Sequence, residues 1–255
     1  MAQCGDLHEL ATLNIAKAAG YSDEDAVLLA WANGMTDRCD GMGFHTQVNA
    51  LTCLWSKAGL YFHFWPSDKK DLICRVDSEL SERITKPLRL APRYSSPVGL
   101  CYCGIALHGL QDSYFHSNWT GKFSRHNVLP AWANGKFTPS LPFPYGHSPM
   151  GKIPDVATAT WYDPRTSEII KNGDRVKAAL EATARTLGLA ELPLAVEMIF
   201  SLQHDYEERK KSLRELAHMP KLRLSEIRKE MLKKYRVELM QAAKAQARIV
   251  EDYLK

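Results

Sequence analysis

Apolar positions recur mostly at spacings of three and four, the period of a helix with one buried face. Residues 6–19 carry such a stripe and stop at Gly20, a residue suited to the left-handed turn that ends a helix. Ser22 then opens a second helix through Met35, with Asp25 three residues on and acids throughout its first turn. Residues 45–58 and 72–84 read as two further helices. Val98–Trp119 is the most apolar segment and predicts a central, mostly buried helix. Thr120–Pro164 is rich in Pro, Gly, Asn and Ser and reads as a long irregular loop, a kind of segment that more often serves function than core. Helices resume at Asp174–Leu187 and Leu194–Ala217, Pro220 interrupts, and a last helix covers Ser225–Tyr253. Its apolar residues Ile227, Met231, Tyr235, Leu239, Ala242, Ala245, Ile249 and Tyr253 form one stripe about 43 Å long.

Period-two alternation is not convincing anywhere. Leu60–Trp65 is the best candidate for an extended segment, closed by Pro66. The expected fold is therefore all-α: a helical bundle around a buried central helix, with a long Pro/Gly-rich loop and a long C-terminal helix. The expected boundary at Pro220 divides a helical domain, 1–220, from an amphipathic C-terminal helix, 221–255.

Composition narrows the class. At 45% hydrophobic and 24% charged, the chain is neither disordered nor fibrous. Its longest stretch free of Asp, Glu, Lys and Arg, Tyr94–Gln111, is broken by Ser, Pro, Gly and His, so no transmembrane helix is expected. The first residues carry no secretory pattern, so the expected location is cytoplasmic, or exterior by a leaderless route. Of the net charge of +4, the excess lies in the tail: residues 205–255 hold 14 Lys/Arg against 9 Asp/Glu, and residues 1–204 hold 19 against 20. The main body is thus no general nucleic-acid-coating surface, and nucleic acid enters only as a substrate. The tail's mixed charges favour packing or a protein partner over an anionic membrane. Six cysteines lie in the first 103 residues without a CxxC pair, and buried reduced thiols are expected.

The sharpest chemical feature is His108-Gly-Leu-Gln-Asp112-Ser-Tyr-Phe-His116. Spacings of four put His108, Asp112 and His116 on one face of a buried helix. Ionisable groups so placed need compensation, because each costs several kcal/mol if buried unpaired, roughly 2–7 even for a neutral polar group. Two readings satisfy that need: a divalent metal, for which imidazole and carboxylate are accepted ligands, or a His–Asp–His hydrogen-bonded network. Further candidates are His8, Asp37, Asp40, His45, His63, His147 and Asp155, while His126, beside Arg125 and Asn127, suits a substrate contact. His204 and His218 fall in the charged tail region. The helix has no Glu-x-x-His pair, which disfavours a carboxylate-rich di-iron enzyme.

Five segments in order resemble an uncharacterised bacterial family known mainly as a domain of unknown function. They are Asp6-Leu-His8; Gly20–Ala26 with Thr36-Asp37; Phe44-His45-Thr-Gln47 with Tyr61–Pro66; Gly104–His116 running on to Arg125-His126-Asn127; and Gly146-His147 with Pro154-Asp155 and Trp161. The resemblance covers roughly residues 5–165. That family in turn resembles the all-α zinc hydrolases typified by bacterial zinc-dependent phospholipase C and the single-strand-specific zinc nucleases. It implies a cluster of divalent metal, zinc before manganese or iron and two ions rather than one, at His8, Asp37, His45, His108, Asp112, His116 and His147. It further implies hydrolysis of a phosphoester (phospholipid, nucleotide or nucleic acid) by a metal-activated water, with Asp112 and His126 in catalytic roles. Lys122, Arg125 and His126 are then placed to meet phosphate, with Trp119, Phe123, Trp132 and Tyr145 lining a pocket. Two departures stand out. Arg38 occupies the position after Asp37 where a second acid is common, with Asp40 as its substitute, and the chain lacks the N-terminal Trp that ligates metal in the phospholipases. The alternative is a toxin-like or partner-binding helical module in which a saturated metal site is structural.

Overall fold

The computed structural model describes residues 6–37, 59–90, 94–122, 124–128, 131–133, 136–138, 146–147, 150–151, 153–219 and 224–255. The eight α-helices among them are α1 (Thr12–Ala18), α2 (Asp23–Thr36), α3 (Glu79–Leu90), α4 (Pro97–Phe115), α5 (Asn172–Thr186), α6 (Leu194–Leu202), α7 (Tyr206–Leu216) and α8 (Leu224–Leu254). Two short π-helical turns, Asp6–Ala11 and Gly59–His63, and two 3-10 turns, Arg125–Asn127 and Ile153–Asp155, complete the helical part among the described residues.

The central helix is α4. Ser96 caps it by accepting from the Gly99 N–H, Pro97 fills the first turn, and His116 closes it as the C-cap. Its residues are buried nearly all round, because α2, α5 and α8 pack against it from different sides. Gly104 makes the α2 crossing possible: a Cβ there would lie 2.3 Å from the Leu29 carbonyl oxygen. Along α2, Ser22 accepts from the Asp25 N–H, as the sequence pattern predicts.

The protein is mostly helical, but a small antiparallel sheet corrects the expectation of helices and irregular loop alone. Strands β1 (Ala131–Ala133), β2 (Lys136–Thr138), β3 (Thr160–Asp163) and β4 (Glu168–Lys171) lie in the order β2-β1-β3-β4. Trp132 pairs with Tyr162, and Trp161 with Ile170. Strands of three and four residues are too short to write a visible alternation, so this segment reads as a loop. Trp161 and Ile170 face inward with Phe64, Trp119 and Met150 in a second, smaller core.

Other boundaries shift for local reasons. Of Leu60–Trp65, expected to be extended, Leu60–His63 instead lie in a π-helical turn closed by the Phe64 N–H on the Gly59 carbonyl, because burial of the whole aromatic run overrides its strand propensity. The helix expected from residue 72 begins at Glu79. Bridges Pro66–Cys74 and Ile73–Thr120, with left-handed backbone at Leu72 and Asp77, hold the preceding stretch. The run Leu194–Ala217 breaks at Gln203–Asp205, where Asp205 caps α7 through the Glu207 and Glu208 N–H groups. Helix α8 continues past the expected ends and has non-helical backbone at Tyr235 (φ −123°, ψ 20°). Its Leu239, Ala242, Ala243, Ala247, Val250 and Tyr253 join the same core as α2 and α4. The helix expected at 45–58 lies outside the described residues. Cys74, Cys101 and Cys103 are free and buried, and no described helix is long and apolar enough to cross a membrane.

Candidate metal centre

Among the described residues, three sets of side chains converge beside α4, each with ligand atoms within 4.8 Å of one another: His8, His108 and Asp112; Asp37, His63 and His108; and His116, His147 and Asp155. His8 comes from the first π-helical turn, Asp37 from the C-cap of α2, and His63 from the second π-helical turn. Both π-helical turns thus carry a site histidine, a frequent association of that irregular geometry with function.

Asp112 is the hub. Its Oδ2 lies 2.7 Å from His63 Nδ1, 3.2 Å from His108 Nε2 and 3.7 Å from His116 Nδ1, while Oδ1 lies 3.3 Å from His8 Nε2. Asp155 faces His116 Nε2 at 3.5 Å and His147 Nε2 at 3.3 Å. Asp37 Oδ1 is 3.5 Å from His108 Nε2. Burial pushes Asp112 and Asp155 up. The imidazoles outweigh it, His108 and His116 holding Asp112 well below the usual carboxylate range, and His147 and His116 holding Asp155 below it.

Four imidazoles are oriented the same way. His8 Nδ1 meets Gln111 Oε1 at 2.8 Å, His108 Nδ1 meets Asn33 Oδ1 at 3.2 Å, His116 Nδ1 meets the His63 carbonyl at 3.1 Å, and His147 Nδ1 meets the Gly151 carbonyl at 2.9 Å. Each Nδ1 donates outward, so each Nε2 is turned onto a carboxylate. A directional network enforces this for two of them. The Thr12 and Thr183 hydroxyls donate to the Leu7 and Ala179 carbonyls and so accept from Gln111 Nε2, leaving Gln111 Oε1 to accept from His8 and from Asn33 Nδ2. Asn33, its amide nitrogen committed to Thr12 and Gln111, offers His108 its oxygen. Outer partners that fix a histidine tautomer are the usual support of metal ligands.

This orientation bears on both readings, the metal and the hydrogen-bonded network. Burial lowers His108 and His147 from the ordinary imidazole range despite the nearby carboxylates, so both are neutral near pH 7. A neutral ring whose Nδ1 carries the proton presents a bare lone pair at Nε2, and that lone pair faces carboxylate oxygen. Lone pair against anion repels. A divalent cation between them would relieve that repulsion; at His108 the His63 ring, its Nδ1 3.2 Å from His108 Nε2 and 2.7 Å from Asp112 Oδ2, also brings positive charge to the same point. Burial also pushes His8, His63 and His116 down, but Asp112 outweighs it in each, with Asp155 adding to it at His116. His8 is raised to about 9. These buried His/Asp groups could hold a metal ion.

Of the residues singled out from sequence, the structure brings together His8, Asp37, His108, Asp112, His116 and His147, and adds His63 and Asp155 from among the further candidates. His45, Asp40 and Arg38 lie outside the described residues. His126 belongs to none of the three groups: its Nε2 meets the Asn118 carbonyl at 2.9 Å. Trp119 is fully buried, 6.3 Å from the His147 ring and 4.1 Å below the Arg165 guanidinium. Asn33, Gln111, Thr12 and Thr183 were invisible as site residues. The one available signal was Gln111, a polar residue three positions after His108 on the same apolar helix. A cavity of about 450 Å3 lies elsewhere, lined by residues such as Thr160, Lys171, Lys177 and Phe200, and shares none of the ligand side chains.

The model of a family of unknown function, DUF6765, matches residues 4–254, and the chain belongs to that family. Neither the curated proteins nor the solved structures gave a match.

Proposed function

We propose that this DUF6765 member is a metal-dependent phosphoesterase whose buried His/Asp cluster holds two divalent ions, zinc being the best fit to a nitrogen-and-carboxylate ligand set. The observation that carries the reading is the common orientation of His8, His108, His116 and His147, each with Nε2 turned inward onto Asp112 or Asp155. One imidazole nitrogen serves one ion, so His108, which belongs to two of the three groups, merges them. His8, Asp37, His63, His108 and Asp112 would hold one ion, and His116, His147 and Asp155 the other.

Such ions supply a bound water acidic near pH 7 and neutralise charge developing on a phosphoester. The protein's own contribution is orientation and access. Gln111 and Asn33 hold His8 and His108 in one tautomer, and Asp112 ties the two groups together. A structural site is closed by its ligands, whereas here the Asp37 side chain is 34% exposed and His147 is 17% exposed, which favours an open position for water and substrate over the structural-metal alternative. Lys122 and Arg125, exposed after the central helix, are the cations this reading assigns to the phosphate.

The test is a hydrolysis screen of the purified protein on a chromogenic phosphodiester, single-stranded DNA and phospholipid vesicles, with and without added zinc. Metal-dependent turnover of one class, abolished in Asp112→Asn, supports the reading. Stoichiometric metal with no turnover on any class points to a structural metal.

A further inference from the structure

We infer that α8, which contributes no ligand, is a two-point clamp that sets the spacing of the two π-helical turns carrying His8 and His63. The inference rests on the metal reading for its consequence, but its geometry stands apart from it.

The first grip is on the turn Asp6–Ala11. Arg228, near the start of α8, makes a two-pronged ion pair with Glu9, its Nε 3.1 Å from Oε1 and its Nη2 on Oε2. Glu9 is buried and adjoins His8. On the other side of the same turn, buried Arg209 of α7 binds Asp6 at 2.8 Å and also donates to the Gln203 and His204 carbonyls. His8 therefore sits between two acids, each anchored by an arginine from the C-terminal third of the chain.

The second grip is on Gly59–His63. Fully buried Gln246 donates from Nε2 to the Tyr61 carbonyl at 2.9 Å, and Glu251 accepts from the Tyr61 hydroxyl at 2.7 Å. Tyr61 lies two residues before His63. The carbonyl of His63 in turn fixes His116, so this grip reaches both ion positions.

A single π-helical turn lacks the long i to i−4 ladder that holds α4, and its Tyr61 carbonyl takes side-chain donors, Trp65 Nε1 at 3.1 Å as well as Gln246. That is why these turns depend on a clamp while α4 does not. Between the grips the helix is interrupted at Tyr235, so the Arg228 half and the Gln246 half are separate levers.

The experiment uses full-length Arg228→Gln, Gln246→Leu and Tyr61→Phe, with Arg228→Lys as rescue and exposed Val237→Ser as control. Zinc affinity is read by chelator competition, and amide hydrogen exchange is read over both turns. Arg228→Gln should weaken zinc binding 10–100-fold, the range for outer-shell losses. Exchange should then accelerate in Leu7–Ala11 and stay unchanged in Leu60–Phe64. Gln246→Leu should reverse the pattern, Tyr61→Phe should give a milder form of it, Arg228→Lys should recover much of the affinity, and Val237→Ser should change nothing. Folded variants with wild-type affinity and wild-type exchange in both turns would overturn the clamp. If the wild-type protein binds no zinc, the metal reading fails, and exchange alone decides the clamp: turn-specific acceleration supports it, and uniform or absent acceleration overturns it.

Discussion

Replacing Gln111 with Met keeps the length of a fully buried side chain and removes four hydrogen bonds, at 2.8 Å to His8, 3.0 Å to Asn33, 2.9 Å to Thr12 and 3.0 Å to Thr183. The losses are unequal. Asn33 and Thr12 keep each other, and Thr183 still donates to Ala179. His8 alone loses its one partner on the outer side. Leaving that buried donor unpaired, with the lost bonds around it, should destabilise the fold by roughly 2–4 kcal/mol. The larger effect falls on the site. Once Nδ1–H of His8 has no acceptor, the ring is free to rotate, and its Nε2 is no longer held on Asp112. Metal affinity should fall 10–100-fold, beyond what the stability loss alone produces, because the folded fraction stays near unity. Chelator competition at 25 °C reports affinity, and denaturant unfolding of the metal-free protein reports stability. A variant destabilised as expected but binding metal like the wild type would refute the orienting role of Gln111 and leave it as core packing.

The pH dependence of the metal-free protein follows from His8, which Asp112 raises to about 9 against burial. The stability contributed by a raised histidine is fully present below about pH 6.5 and lost as pH climbs through 9, so metal-free protein should weaken by a few kcal/mol across that window, roughly 3 from His8. His63 and His116, raised too, act in the same direction. Metal-loaded protein, its ligands already deprotonated, should stay flat over the same range in unfolding titrations. Gly104→Ala places a methyl 2.3 Å from a backbone oxygen of α2 that cannot rotate away, so thermal unfolding should show a loss of about 1–3 kcal/mol. His147→Ala removes a ligand whose outer partner is a loop carbonyl, so elemental analysis should find one ion fewer per chain, with the ion at His108 retained; unchanged stoichiometry would make His147 an ordinary loop residue.

Much of this was legible in the sequence where one element carried the signal. The face shared by His108, Asp112 and His116, the Ser22 cap and the length of the C-terminal helix all follow from helical period within a single segment. What was not legible depended on contacts between segments. His63 lies in an aromatic run whose composition favours a strand, and only burial of the whole run against α4 and α8 makes it a π-helical turn with the ring on Asp112. Asp155 stands in a segment where Pro, Gly and Ser conceal short strands. Asn33, Gln111, Thr12 and Thr183 are polar residues on otherwise apolar helices, each unremarkable alone, and they become a network only when α1, α2, α4 and α5 are brought together around the histidines. The grips of Arg228 and Gln246 span more than 180 residues of sequence, and charge patterning along α8 shows no sign of them.

The most direct test of the central claim is elemental analysis of the full-length protein after exhaustive dialysis, alongside Asp112→Asn. The account predicts two zinc-class ions per wild-type chain and a large loss from the variant, because Asp112 faces His8, His63, His108 and His116 together. Wild-type protein that is folded, dialysed in the presence of zinc and still free of bound metal would contradict it.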